Sequence, residues 1–74
     1  MYSIDLKGEH CPIPVLKTKK KLNEMSSGET LEILVTDKLA PLDIEALIGV
    51  TKDKFIGVSR SIDETYYRVV VEKS

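Results

Sequence analysis

The stretch Glu9-His10-Cys11-Pro12-Ile13-Pro14 carries the chain's one cysteine, its one histidine and two of its three prolines. A thiolate is the strongest nucleophile a side chain offers near neutral pH, and its reactivity is set by where it sits. Proline is tolerated in the first turn of a helix, where backbone N–H groups have no intrahelical partner. Pro12 and Pro14 both fit such a turn. Residues before proline are pushed toward extended backbone, which suits Cys11 as the N-cap but is less comfortable for Ile13, so Pro14 is an alternative first helical residue. Either start puts Cys11 within one turn of a helix N-terminus. That end carries roughly half a positive elementary charge, and a thiol placed there has its pKa lowered from about 8.5 into the range of roughly 3.5–7.5. The N–H groups of Cys11, Ile13 and Val15 remain as donors near the sulfur, and the prolines stiffen the entry. A lone cysteine is more often buried and inert; the flanking prolines weigh against that reading. His10 does not complete a Cys–His pair, because adjacent residues entering a helix seldom face each other and no third group is evident to orient the ring.

The surrounding pattern supplies the elements that would hold this thiol. Tyr2, Ile4 and Leu6 alternate with Ser3 and Asp5, the signature of a half-buried strand. Lys7 to His10 form a loop in which Gly8 can take backbone angles other residues resist. A helical pattern runs from Pro12 to about Ser27, with Val15, Thr18, Leu22 and Met25 on one face and Lys17, Lys20, Lys21 and Glu24 on the other. Gly28 stands where a C-terminal cap is expected. Leu31, Ile33 and Val35 define a second strand. A second helix is expected from about Ala40 to Val50, capped by Asp37 or a neighbour, with Pro41 in its first turn and Ile44, Leu47 and Ile48 as its apolar stripe. Residues 54–60 and 65–72 read as a hairpin, with Gly57 marking a bulge or close contact and one of Tyr66 and Tyr67 facing the core. The order βαβαββ predicts one α+β domain over residues 1–74. It is a two-layer sandwich: a four-stranded mixed sheet with two helices on one face, its first two strands parallel and its last two antiparallel.

Composition narrows the function classes. The chain has 74 residues, 42% hydrophobic and 31% charged, as in an ordinary globular domain. Eleven basic against 12 acidic residues leave a net charge of −1, which argues against direct nucleic-acid binding. One cysteine permits no internal disulfide and, with one histidine, no metal centre. No run approaches the roughly 20 apolar residues of a membrane span. The opening residues lack a basic region followed by an apolar one, so no signal peptide is expected and the expected location is cytoplasmic. No cofactor is implied.

The stretch Asp5-x-x-Gly8-x-x-Cys11-Pro12-x-Pro14, followed by an amphipathic helix, resembles the signature of the TusA/SirA-like family of small sulfur-carrier proteins. The later Gly28-Glu29-x-Leu31 strand ending in Asp37, and Asp43-Ile44 in the second helix, extend the likeness over nearly the whole chain. The resemblance implies a βαβαββ sandwich and a persulfide relay. Cys11 would accept sulfane sulfur from a donor protein, a cysteine desulfurase or a rhodanese-like enzyme. It would then pass the sulfur to an acceptor protein, as in tRNA thiolation, with Gly8, Pro12 and Pro14 as supporting motif residues. Two departures lie away from the thiol: Lys38 stands where many relatives have proline, and Lys52 to Phe55 replace a Gly-His or Gly-Asn pair. Both bear on which partner the chain meets.

Lys17, Lys19, Lys20 and Lys21 make the helix that starts at the thiol basic. Lys17, Lys20 and Lys21, with Ile13 as an apolar contact beside Cys11, are candidates for docking an acidic partner. The rival reading is an adaptor for RNA or a regulatory protein that uses this lysine face without cysteine chemistry. A third, thiol–disulfide exchange, lacks a resolving cysteine. Donor, acceptor, oligomeric state and any effect of His10 on Cys11 are not encoded in readable form.

Overall fold

Two-residue alternation puts Leu31, Ile33 and Val35 on one face of a strand. In the computed structural model, which describes residues 2–10 and 12–74, all three are fully buried. They belong to β2 (Thr30–Val35), the second of six elements of regular order: β1 (Tyr2–Leu6), α1 (Ile13–Asn23), β2, α2 (Ala40–Thr51), β3 (Lys54–Arg60) and β4 (Tyr67–Glu72). The four strands form one sheet in the order β1-β2-β4-β3. β1 runs parallel to β2, with Ile4 beside Ile33 and Leu6 beside Val35. A parallel pair needs a crossover, and α1 supplies it. β4 is antiparallel to both β2 and β3.

The buried face of the sheet (Leu6, Leu31, Ile33, Val35, Val69, Val71) shares one core with Leu22 and Met25, and with Ala40, Ile44 and Ile48 of α2. Both helices therefore cover the same face, as the βαβαββ pattern predicts. Phe55 and Tyr67 pack at its margin, so Tyr67 is the tyrosine that meets the core. On the opposite face Glu32 accepts a hydrogen bond from the Ser3 hydroxyl and pairs with the Arg68 guanidinium. The expected irregularity at Gly57 is present: the register slips between Phe55 and Gly57, leaving Ile56 as the extra residue of a bulge.

The helix boundaries need correction. α1 ends at Asn23, not near Ser27, because Met25 leaves the helix to enter the core, where it is 6% exposed. The N–H groups of Glu24 and Met25 donate to the carbonyls of Lys21 and Leu22 at 3.0 and 3.1 Å, tightening the last turn. Gly28 is accordingly not the cap. It takes φ +89° in the turn into β2, and its N–H donates to the Lys73 carbonyl at 2.7 Å. At α2 the N-cap is Leu39, without a side-chain bond. Asp37 acts one step earlier: its carboxylate accepts the Leu39 N–H at 3.0 Å and its carbonyl accepts the Ala40 N–H at 3.1 Å. α2 closes at Thr51 on Lys52, a left-handed residue whose N–H donates to the Ile48 carbonyl at 2.9 Å. β4 begins at Tyr67, two residues later than the sequence pattern implies. Among the described residues no helix is long and apolar enough to cross a membrane.

Thr18 stands fully buried on the inner face of α1, and its hydroxyl has no hydrogen-bond partner among the described residues. A buried, unsatisfied polar group is unfavourable by roughly 1–3 kcal/mol. Thr18→Val keeps the shape and removes that group. It is expected to raise the urea midpoint, corresponding to a gain of about 1 kcal/mol; a lower midpoint would show that the hydroxyl is bonded in solution.

Candidate functional site

The sequence places its chemistry at Cys11, and position 11 lies outside the described residues; the groups on either side of it are fixed in detail. β1 and β2 are parallel, so both are followed by helices that start at the same end of the sheet. The loop from β1 to α1 is tied down at three points. The Lys7 N–H donates to the Asp5 carboxylate at 3.0 Å, the Gly8 N–H to the Thr36 hydroxyl at 2.8 Å, and the Glu9 N–H to the Leu6 carbonyl at 3.1 Å. Gly8 has φ +86°, in the left-handed region. A Cβ there would meet no atom within 4 Å, so the constraint is conformational and not steric. Gly8→Ala is expected to lower stability by about 1 kcal/mol, read as a shifted denaturation midpoint. An unchanged midpoint would mean that the loop adopts ordinary backbone angles.

Pro12 is the N-cap of α1, at φ −95° and ψ 9°. The sequence allows Cys11 as that cap or Pro14 as the first helical residue; helical backbone begins between the two, at Ile13, whose N–H donates to the His10 carbonyl at 2.9 Å. The two prolines divide their work. Pro12 is exposed at the entry, whereas Pro14 is buried and forms part of the packing under α1. α1 has no side-chain cap and no acidic residue in its first turn, while α2 carries Asp43 in that position. The positive end of α1 is thus left uncompensated from within its own first turn.

Two features near this end went unread in the sequence. His10 Nδ1 lies 3.9 Å from Asp37 Oδ2, with the histidine side chain 83% exposed and the aspartate 18%. A carboxylate two residues beyond β2 thus stands beside the ring. The signal available in the sequence is Asp37 just after the second strand, a position that reads there as a helix cap and as part of the family pattern but not as a neighbour of His10. Second, Ile13 is half-buried, not openly exposed. The exposed apolar groups at the starts of the helices are Leu16 in α1 and Leu39 and Leu42 in α2, at 57%, 60% and 62% exposure.

The lysines are brought together as expected. Lys17, Lys20 and Lys21 line a groove of about 260 Å³ with Ile4, Leu6 and Glu24. Lys17 Nζ lies 3.2 Å from Glu9 Oε1, and Lys21 Nζ sits 4.6 Å from the centre of the Tyr2 ring. Among the described residues, no three His, Cys, Asp or Glu side chains converge as metal ligands.

Comparison with known proteins adds an independent line. Residues 2–73 match the family model described as sulfurtransferase TusA. The chain is 43% identical over 54 residues to "Putative sulfur carrier protein YrkF" of Bacillus subtilis, covering 73% of this chain and 29% of that protein. It spans little more than half of two further curated relatives, 57% and 53%. Over 71 residues it is 37% identical to "Putative sulfur carrier protein NMA0882" of Neisseria meningitidis, covering 96% of this chain and 95% of the relative. A crystal structure of a SirA-like protein from Desulfitobacterium hafniense superposes with a TM-score of 0.87 at 25% identity, covering 97% of this chain and 96% of that one.

Proposed function

Because the chain belongs to the TusA sulfurtransferase family, we propose that it is a small cytoplasmic sulfur carrier that holds sulfane sulfur as a persulfide on Cys11. The observation that carries this reading is the family match over residues 2–73, a span that includes Cys11-Pro12-Ile13-Pro14. The start of α1 supports it, since its uncompensated N-terminus, at Pro12 and Ile13, lies within that motif.

The transfer follows from thiol chemistry. The Cys11 thiolate attacks the outer sulfur of a donor protein's persulfide. A new S–S bond forms at Cys11, the donor's S–S bond breaks, and the donor cysteine leaves as a thiolate. The product, a persulfide anion on Cys11, carries the same charge as the thiolate it replaces, and the positive end of α1 favours both. An acceptor thiolate then attacks the outer sulfur and returns Cys11 to its starting form. No external oxidant or reductant enters either step. The donor would be a cysteine desulfurase or a rhodanese-like protein. The acceptor would be a protein of a sulfur-relay pathway such as tRNA thiolation. Gly8 and Pro14 act by shape: one turns the loop and the other seats the helix. Ile13, Lys17, Lys20 and Lys21 are the proposed partner contacts.

Incubation with a cysteine desulfurase and cysteine, or with thiosulfate and a rhodanese, followed by intact-mass measurement, tests the proposal. A gain of one sulfur, blocked by prior alkylation, is expected. Absence of that gain with both donors overturns it. Cellular function that survives Cys11→Ser but is abolished by lysine reversal would favour the adaptor reading in its place.

A further inference from the structure

The groove beside α1 has an apolar floor, Ile4 and Leu6, and a cationic wall of Lys17, Lys20 and Lys21, with Glu24 as its one acidic residue. Lys17 is shared with Glu9 and Lys21 leans on Tyr2. Lys20 is exposed and enters none of the ion pairs among the described residues. The groove therefore presents a surplus of positive charge over an apolar base.

Its floor belongs to β1, which is one edge of the sheet. An edge strand exposes a row of unpaired N–H and C=O groups, a ready template for another strand. The two edges of this sheet differ. β3 carries the bulge at Ile56, a common device for discouraging edge pairing. β1 pairs with β2 through five successive residues without a slip, and its sequence Tyr2-Ser3-Ile4-Asp5-Leu6 has no proline. Ile4 and Leu6 point to the helix-covered face, so a strand laid along β1 would send every second side chain to that face, beside the lysines.

We propose that an extended acidic segment of a partner protein adds to the free edge of β1 as a further strand, with alternate Asp or Glu side chains facing Lys17, Lys20 and Lys21. Backbone hydrogen bonds to β1 supply affinity, and the groove selects an acidic residue at every second position. Because β1 leads directly into the Lys7–His10 loop, the docked segment ends beside the cysteine motif. The proposal rests on the sulfur-carrier reading only for the identity of the partner as a donor or acceptor; the binding event does not require it.

The test uses short labelled peptides with the full chain. One has acidic residues at alternate positions, one has the same composition with the acidic residues in a block, and one is the alternating peptide N-methylated on alternate amides. A single-stranded RNA oligomer of similar charge is the fourth probe. The alternating peptide is expected to bind and to weaken with added salt, and the amides of residues 3–6 are expected to gain hydrogen-exchange protection. N-methylation and Lys20→Glu should each weaken binding by roughly tenfold, equivalent to about 1.4 kcal/mol. Equal binding of the block peptide, no effect of N-methylation, or a preference for RNA without protection of β1 would each overturn strand addition. Sulfur loading of Cys11 by a small inorganic polysulfide is measured on the same sample. Lost peptide binding with loading intact sinks only the docking proposal, and lost loading with peptide binding intact sinks only the carrier reading.

Discussion

Cys11→Ser is expected to reduce sulfur loading to background with every donor, while the circular dichroism spectrum stays that of the parent. A serine hydroxyl is almost wholly protonated at neutral pH, so the anion on which the proposed transfer depends is absent. The variant also cannot form the S–S bond that the proposed carrier function requires. No other residue can substitute, since the chain has one cysteine. His10→Ala provides the contrast. Its ring is 83% exposed and its carboxylate neighbour Asp37 is 3.9 Å away. An exposed pair of this kind contributes on the order of 0–1 kcal/mol, so loading should change by no more than about fivefold. Residual loading of Cys11→Ser at the parent rate would place the chemistry elsewhere. A collapse of loading in His10→Ala would make the His10–Asp37 pair part of the transfer. Intact-mass time courses of the three proteins distinguish these outcomes.

What could be read from the residues alone follows a physical dividing line. The alternation in Leu31, Ile33 and Val35 was decisive because a central strand buries one whole face, and all three are 0% exposed. The lysine trio could be read because residues three and four apart share a side of a helix whatever it packs against. Gly57 announced its bulge because glycine in a strand interior needs a reason. Helix ends were not legible in this way. Ser26, Ser27 and Gly28 look like a cap, yet the helix stops earlier because the core claims Met25, a demand set by chain segments far along the sequence. The same holds at the site. His10 and Asp37 meet only because β1 and β2 lie side by side. Leu39 and Leu42 resemble core residues by type, and only the packing of α2 through Ala40, Ile44 and Ile48 turns them outward.

Leu22→Ala is expected to be the most damaging of the conservative core changes, and its consequence reaches the thiol. α1 has little stability of its own. It spans 11 residues, lacks a side-chain N-cap bond and carries four lysines, and isolated helices this short are marginal in water. Packing must hold it, and Leu22, 1% exposed, is its largest buried side chain. Truncating a buried leucine to alanine removes roughly 2–5 kcal/mol. A chain of 74 residues has on the order of 4–11 kcal/mol in total. The melting temperature should therefore fall by about 10 °C or more. Leu16→Ala, on the same helix but 57% exposed, should change stability by less than about 0.5 kcal/mol. Urea unfolding of the pair measures the difference, and equal losses would contradict the packing described. Below its own transition, Leu22→Ala should also load sulfur more slowly, because a frayed α1 no longer holds its positive end at Pro12 and Ile13, the residues that follow Cys11 in the chain. Leu16→Ala should load at the parent rate from a small-molecule polysulfide. A slower rate only with a protein donor would then assign Leu16 to the docking surface, not to the chemistry.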